Sequence, residues 1–315
     1  MGFESLLGND ELKKTLSQSI ARGHISHFYL IDGPKGSGKH TLARLLAAAI
    51  LCEGRDKPCL HCIPCRKVTE GLHPDFITID DPEHVHISID TIREARDDMF
   101  VRPNESAWKI YLLPRAQDMQ APAQNALLKI LEEPPDYGVY ILLTDNAEAM
   151  LPTIRSRSTP LHLHSLPESV FFPRMREDFP NADEEALRAV FLRSGGFLGQ
   201  AAELLSEQDD SQTNEFAAVL VSRDSLRLMQ LLVPMERMKR NDLISRLKQW
   251  LLLLEEALTC RCGAPAMSEN IRKVSTARSA AELAELTELF KKLIDYAQGN
   301  VSAAAICGRL EWALQ

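Results

Sequence analysis

The sequence predicts an α/β protein, a parallel sheet with helices on both faces, followed by an all-α C-terminal half. Three observations predict it. Short apolar runs alternate with helical patterns up to about residue 165, the signature of a parallel sheet covered on both sides. A glycine-rich loop, Gly33-Pro34-Lys35-Gly36-Ser37-Gly38-Lys39, joins the first apolar run to a helix-like stretch. After Leu166-Pro167 strand signals stop, and leucines recur at intervals of three and four, the helical period.

The strand runs are 28–31, 76–79, 110–113 and 139–143, with a fifth, alternating run at Leu161-His162-Leu163-His164. Helical patterns at 12–21, 41–51, 89–99 and 122–132 lie between most of them. In the C-terminal half, Leu243, Leu247, Leu251, Leu254 and Leu258 form one stripe, and Leu283, Leu286, Leu289 and Leu293 another. A polar stretch, Ser206 to Asn214, separates a short helical unit from a longer one. The expected plan is a base over 1–165 with a cysteine-rich insertion at 52–65, a small helical lid over 166–207 and a helical unit over 208–315.

At 315 residues the chain has room for two or three domains and a sizeable core. With 25% charged and 45% apolar residues it reads as an ordinary soluble globular protein. A formal net charge of -8 leaves no overall basic field to attract nucleic acid. Any DNA contact is therefore local or shared with partner subunits. Met1 to Leu6 has no basic-then-apolar export pattern, and Leu6 stands where myristoylation requires Ser or Thr. The longest aliphatic runs are far too short for a membrane span. A cytoplasmic protein without a membrane partner is expected.

Glycines 33, 36 and 38 let backbone N–H groups turn toward phosphate oxygens, with Lys39 adding a point charge and the next helix its positive end. Yet His40 follows Lys39, where such a loop needs a hydroxyl to hold Mg²⁺. Thr41 is one residue late, and one step along a helix turns a side chain by about 100°. The run 110–113 ends in Pro114-Arg115, where hydrolysing enzymes place a metal-holding and a water-orienting carboxylate. Asp118 is the nearest acid and is expected in the next helix. The loop reads as degenerate, with nucleotide bound weakly or not at all, and with Asp118 as the one candidate for rescue.

Cys52, Cys59, Cys62 and Cys65 fall in a compact, turn-rich span beside Arg55, Lys57, Arg66 and Lys67. Four sulfurs at this spacing suit a structural, tetrahedral zinc; an iron–sulfur cluster or plain thiols are the alternatives. His61, between ligands, is expected to face solvent. Cys260, Cys262 and Cys307 read as unpaired thiols, and the odd total of seven speaks against a disulfide framework. Trp108, Trp250 and Trp312 read as packing residues.

Several segments together resemble the bacterial DNA polymerase III clamp loader, a family of the AAA+ class. They are His27-Phe28-Tyr29-Leu30, the four-cysteine insertion, Gln124-Asn125-Ala126-Leu127-Leu128-Lys129-Ile130-Leu131-Glu132-Glu133-Pro134-Pro135, and Thr153-Ile154-Arg155-Ser156-Arg157-Ser158. The likeness covers most of the first 165 residues, and Asn300 through Leu310 shares it more faintly. It implies an AAA+ base, a lid and a C-terminal collar through which subunits form a ring. Loss of the acids resembles the delta-prime type of subunit rather than the catalytic gamma/tau type. Gly199, in Ser194-Gly195-Gly196-Phe197-Leu198-Gly199-Gln200-Ala201, agrees, because catalytic relatives carry a nucleotide-sensing arginine there.

The resemblance also implies a role for Arg157, presented in trans to ATP on a neighbouring subunit; here Ser158 replaces the family's cysteine. The plain alternative is an arginine paired with a nearby carboxylate. The implied function is a non-hydrolysing stator of the clamp loader within the polymerase holoenzyme, whose assembled activity is DNA-directed DNA polymerase. Its partners would be gamma/tau-type subunits and the delta subunit, and through them the sliding clamp and primed DNA. The rival readings are an active ATP-hydrolysing motor and a zinc-dependent DNA-binding module.

Overall fold

Alternation along each strand makes the sheet two-faced. The computed structural model describes residues 2–80, 86–180, 182–208, 211–266, 268–299 and 301–314. Its strands are β1 (Phe28–Asp32), β2 (Phe76–Thr78), β3 (Lys109–Leu113), β4 (Gly138–Thr144) and β5 (Thr159–His162), all parallel, in the order β2-β3-β4-β1-β5. Tyr29, Ile31, Ile110, Leu112, Val139, Ile141 and Leu143 point into one core. Phe28, Leu30, Tyr111, Leu113, Tyr140 and Leu142 point into the other. Near-continuous burial along β1, β3 and β4 is what a doubly covered parallel sheet requires.

Helices α1 (Asp10–Ala21), α2 (Lys39–Leu51) and α3 (Ile63–Glu70) cover the first face. Helices α4 (Ile89–Met99), α5 (Ala121–Glu132) and α6 (Pro152–Arg157) cover the second. Each buried Leu, Ile or Val contributes about 1.5–3 kcal/mol by leaving water, so Leu42, Leu46, Leu127 and Ile130 fix where these helices lie. On the second face Phe28, Tyr140 and Tyr111 stack at centroid distances of 5.0 and 5.2 Å, a rung across three strands.

Three local features depart from the sequence reading. The fifth strand is Thr159–His162 rather than 161–164. Pro160 can belong to it because β5 is an edge strand, where a missing N–H is tolerated. Helix α3 starts at the end of the cysteine-rich span and runs beyond it, begun by a proline in its first turn and stopped by Gly71 at φ 72°. Trp312 is not a packing residue: it is 71% exposed, with the Arg309 guanidinium 4.5 Å from its ring centroid. Trp250 is buried and Trp108 packs partly against the first core.

After the sheet, every described element is helical: α7 (Glu168–Asp178), α8 (Glu184–Ser194), α9 (Leu198–Gln208), α10 (Ser211–Ser222), α11 (Ser225–Met235), α12 (Arg240–Arg261), α13 (Glu269–Ala277), α14 (Ala280–Gln298) and α15 (Ala303–Leu314). Leu243, Leu247, Leu254, Leu283, Leu286 and Leu293 are buried, whereas Leu251, Leu258 and Leu289 are half-buried. Trp250 lies flat on Phe216, 4.2 Å between centroids and 8° between planes. Asp209, Asp210 and Asn300 lie outside the described residues.

Two compact units result, Met1–Val170 with Phe197–Gly199, and Phe171–Gly196 with Gln200–Gln315. The sheet and the short strap 197–199 thus belong to one unit. Among the described residues no helix is long and apolar enough to cross a membrane.

Candidate functional site

The glycine-rich loop leaves the C-terminal end of β1 and enters α2, with Gly36 at φ 75° and Gly38 at φ 95°, values that favour glycine. Beside it is a cavity of about 600 Å³ lined by Lys39, His40, Thr41, Pro114, Arg115 and Asp145, among others. Lys39 is only 7% exposed. Its ammonium donates to the carbonyls of Gly33 (2.6 Å) and Pro34 (2.9 Å) and forms a salt bridge with Asp145 just beyond β4. The cation meant for phosphate is held by its own loop and by a carboxylate.

A second closure comes from the strap. The N–H of Gly199 donates to the carbonyl of Gly36 at 3.0 Å. A Cβ at 199 would lie 2.7 Å from the Gly36 Cα and 2.8 Å from its oxygen. No side chain fits there without a shift of the loop, so glycine at 199 is a steric requirement. The loop that should open onto phosphate oxygens is packed against the chain itself.

His40 takes the second position of α2 and is exposed. Partial removal from water, with Arg44 and Lys39 nearby, holds its ring below the usual imidazole value, so it is neutral near pH 7. Arg115 follows β3, as the sequence reading places it. Its guanidinium pairs with Asp80 (2.9 Å) and Asp118 (3.3 Å). Asp118 lies in a 3-10 turn, Ala116–Asp118, rather than in α5. Asp118, the acid the sequence offers as a candidate metal ligand, is thus engaged by Arg115.

The cysteine cluster has the opposite character. The sulfurs of Cys52, Cys59, Cys62 and Cys65 all lie within 4.8 Å of one another, with Cys52–Cys62 at 3.9 Å and Cys59–Cys65 at 4.0 Å. Four thiolates bound tetrahedrally at about 2.3 Å are separated by about 3.8 Å, so the set fits a metal ion. Backbone N–H groups aim at the sulfurs: Gly54 and Cys59 at Cys52 (3.3 and 3.4 Å), and Cys62 at Cys59 (3.3 Å). The N–H groups of His61 and Cys62 draw the Cys59 thiol down to about 6. Burial pushes Cys52 and Cys65 up; a bound dication supplies the charge that keeps such thiolates ionised. Cys52 caps α2 and Cys65 lies in α3, so one ion would staple two core helices. His61 is exposed, its Nδ1 2.7 Å from the Cys59 carbonyl. Lys67 is paired with Glu105. Cys260, Cys262 and Cys307 form no disulfide, and burial raises the Cys307 thiol to about 11.

Arg157 closes α6 at the rim of the same unit and is 44% exposed. Its contacts are long: the Thr153 carbonyl at 3.4 Å and Glu132 at 3.8 Å. Arg155, half-buried, reaches Glu148 at 3.6 Å. Sequence reasoning missed two residues here. Asp145 could have been noticed as an acid directly after a strand. Gln124 is a polar side chain on the face of α5 that also carries Leu127 and Leu131, and it is buried.

Strand order, all-parallel pairing and a glycine-rich loop running from β1 into α2 together define a P-loop α/β protein. The sequence profile described as "DNA polymerase III, delta subunit" matches residues 8–167, just over half of the chain, and the chain belongs to that family. It is 34% identical over 209 residues to a DNA polymerase III subunit gamma of Buchnera aphidicola subsp. Schizaphis graminum, covering 64% of this chain and 57% of that one. Against the subunit tau of Bacillus subtilis it is 31% identical over 211 residues, covering 65% and 37%. Against that of Escherichia coli it is 29% identical over 282 residues, covering 81% and 42%. The chain thus spans from about a third to just over half of these relatives' lengths. A solved gamma-subunit-related protein from Thermotoga maritima overlaps with TM-score 0.46 at 18% identity, over 96% of this chain and 99% of that one, too loosely to carry an argument.

Proposed function

We propose that this chain is a non-hydrolysing, delta-prime-type subunit of a DNA polymerase III clamp loader, a stator that lends Arg157 to ATP bound on a catalytic neighbour. One observation carries the reading: Arg115 stands at the end of β3, paired with Asp80 and Asp118, where a hydrolysing relative needs carboxylates for Mg²⁺ and water. The self-held Lys39 and the neutral His40 support it. With its own triphosphate chemistry lost, the exposed guanidinium of Arg157 has its use on another chain, steadying charge on the transferring phosphoryl group. Zinc is the ion we assign to Cys52, Cys59, Cys62 and Cys65. Its role is structural, because four protein ligands leave no open position.

On this reading residues 166–207 act as a lid and 208–315 as the collar. Gamma/tau-type and delta subunits are the partners, and the sliding clamp and primed DNA are reached through the cytoplasmic complex. The test is ATP turnover of the chain alone and of the complex reconstituted with its catalytic partner. The chain alone should not hydrolyse ATP. Arg157→Ala should lower turnover at the neighbouring site by about 10³-fold or more while assembly persists. Turnover equal to the unsubstituted complex would remove the trans role.

A second reading, an ATP-hydrolysing gamma/tau-like motor, is favoured by the names of the relatives, gamma and tau. Steady-state hydrolysis by the isolated chain that disappears on Lys39→Ala would establish it instead.

A further inference from the structure

The four sulfurs of the cysteine module differ in their access to solvent, and the difference is paired. Cys52 and Cys65 are buried, whereas Cys59 and Cys62 are half-buried. Each close contact joins one of each kind: Cys52 to Cys62 at 3.9 Å and Cys59 to Cys65 at 4.0 Å. The two reachable sulfurs belong to the turn that also carries Leu60, His61 and Ile63, all exposed. Leu60 holds φ 61° in that turn, a left-handed backbone that disfavours leucine. The stapling of two core helices does not require ligands that an oxidant can reach.

We propose that the module is a peroxide-responsive switch, in which Cys59 and Cys62 meet the oxidant and Cys65 and Cys52 close the disulfides, an inference resting on the zinc assigned above. The Cys62 thiolate attacks one oxygen of hydrogen peroxide. The O–O bond breaks, and the departing hydroxide takes a proton to become water, leaving Cys62 a sulfenic acid. The Cys52 thiolate then attacks that sulfur. The S–S bond forms, the S–O bond breaks, and a second hydroxide takes a proton and leaves as water. Two sulfurs have each lost one electron, and one peroxide has become two waters. Cys59 and Cys65 repeat the sequence with a second peroxide. A disulfide sets its sulfurs about 2.05 Å apart, so each pair has about 2 Å to close. The thiolate is the metal ligand, and a neutral disulfide offers none, so the oxidised module gives up its ion. Leu60 is then free to leave its disfavoured backbone. Cys52 caps the end of α2 and Cys62 the start of α3, so their disulfide keeps the two helices tied while the ion is gone. Thiol exchange followed by zinc reverses the change.

The experiment titrates the full chain, purified under reductant and then freed of it, with hydrogen peroxide. Zinc is measured before oxidation by elemental analysis and during it with a colorimetric chelator, and disulfides are mapped by peptide mass spectrometry. Zinc should be lost completely, in step with the four module thiols, and the mapped pairs should be Cys52–Cys62 and Cys59–Cys65. Dithiothreitol with added zinc should restore the metal content. Cys262→Ser, which removes the exposed thiol of the helical unit, should release zinc at an unchanged rate. Zinc retained while Cys262 is consumed would overturn the switch. So would zinc lost with the module cysteines carried to sulfinic or sulfonic acid, or a disulfide joining the two reachable sulfurs, Cys59 and Cys62. Release that disappears in Cys262→Ser would put the first attack outside the module and overturn it too. A chain that holds no zinc before peroxide is added is a different result, which removes the metal assignment itself and the switch with it.

Discussion

Two cradles in the first unit are built from similar parts and end in opposite states. Around Cys52, Cys59, Cys62 and Cys65, backbone N–H groups and sulfurs converge on a common centre with the spacing of a tetrahedral ion. Around Lys39, donor and acceptors have found each other: the ammonium is on Gly33, Pro34 and Asp145, and the strap at Gly199 is on Gly36. The first set of groups has the spacing to receive a guest ion, and the second is satisfied by the chain itself. A loop with the right glycines is therefore a statement about fold, and the partners of its lysine are the statement about ligand.

The strongest way to break this contrast is at the metal. Protein as purified should carry one zinc per chain by elemental analysis. Stripping it should unseat α3 from α2 and lower the first thermal midpoint by about 10 °C or more, a loss on the order of several kcal/mol. A chain that is metal-free yet equally stable would make the cysteines ordinary core thiols.

A smaller effect is expected at the strap. Gly199→Ala puts a Cβ against the backbone of Gly36, and either the strap lifts or the loop shifts. Denaturant unfolding should register about 1–3 kcal/mol. Unaltered stability would mean that the strap is not seated on the loop.

Least in size is the electrostatic test. Asp145→Asn removes the carboxylate that competes for Lys39, and because Asp145 is about half exposed the gain is discounted for screening. Affinity for inorganic pyrophosphate should rise by about tenfold, a gain that Lys39→Ala abolishes. Calorimetry that finds no tightening would show that the loop is shut by Gly199 and not by charge.

The sheet was readable because parallel strands buried on both faces are written as apolar runs, and four of the five lie where those runs do. β5 is offset because Thr159 and Pro160 carry no strand signal, and only its place at the edge admits them. α3 was hidden by cysteines and prolines that mark turns in isolation. At the site, residue types could be read but engagement could not. Nothing local says that Asp145 meets Lys39, or that Asp80 meets Arg115, since those contacts are made across separate strands. Trp312 went astray because large aromatic rings are usually buried, and pattern alone does not show the solvent side of a terminal helix.

The ring stacks offer an unplanned convenience. The aromatic ladder Tyr111–Tyr140–Phe28 belongs wholly to the sheet unit, and the indole of Trp250 on Phe216 wholly to the helical one. Their near-ultraviolet dichroism should differ in wavelength. With Trp108→Phe removing the sheet unit's own indole, a label-free spectrum recorded during heating can time the melting of each half separately.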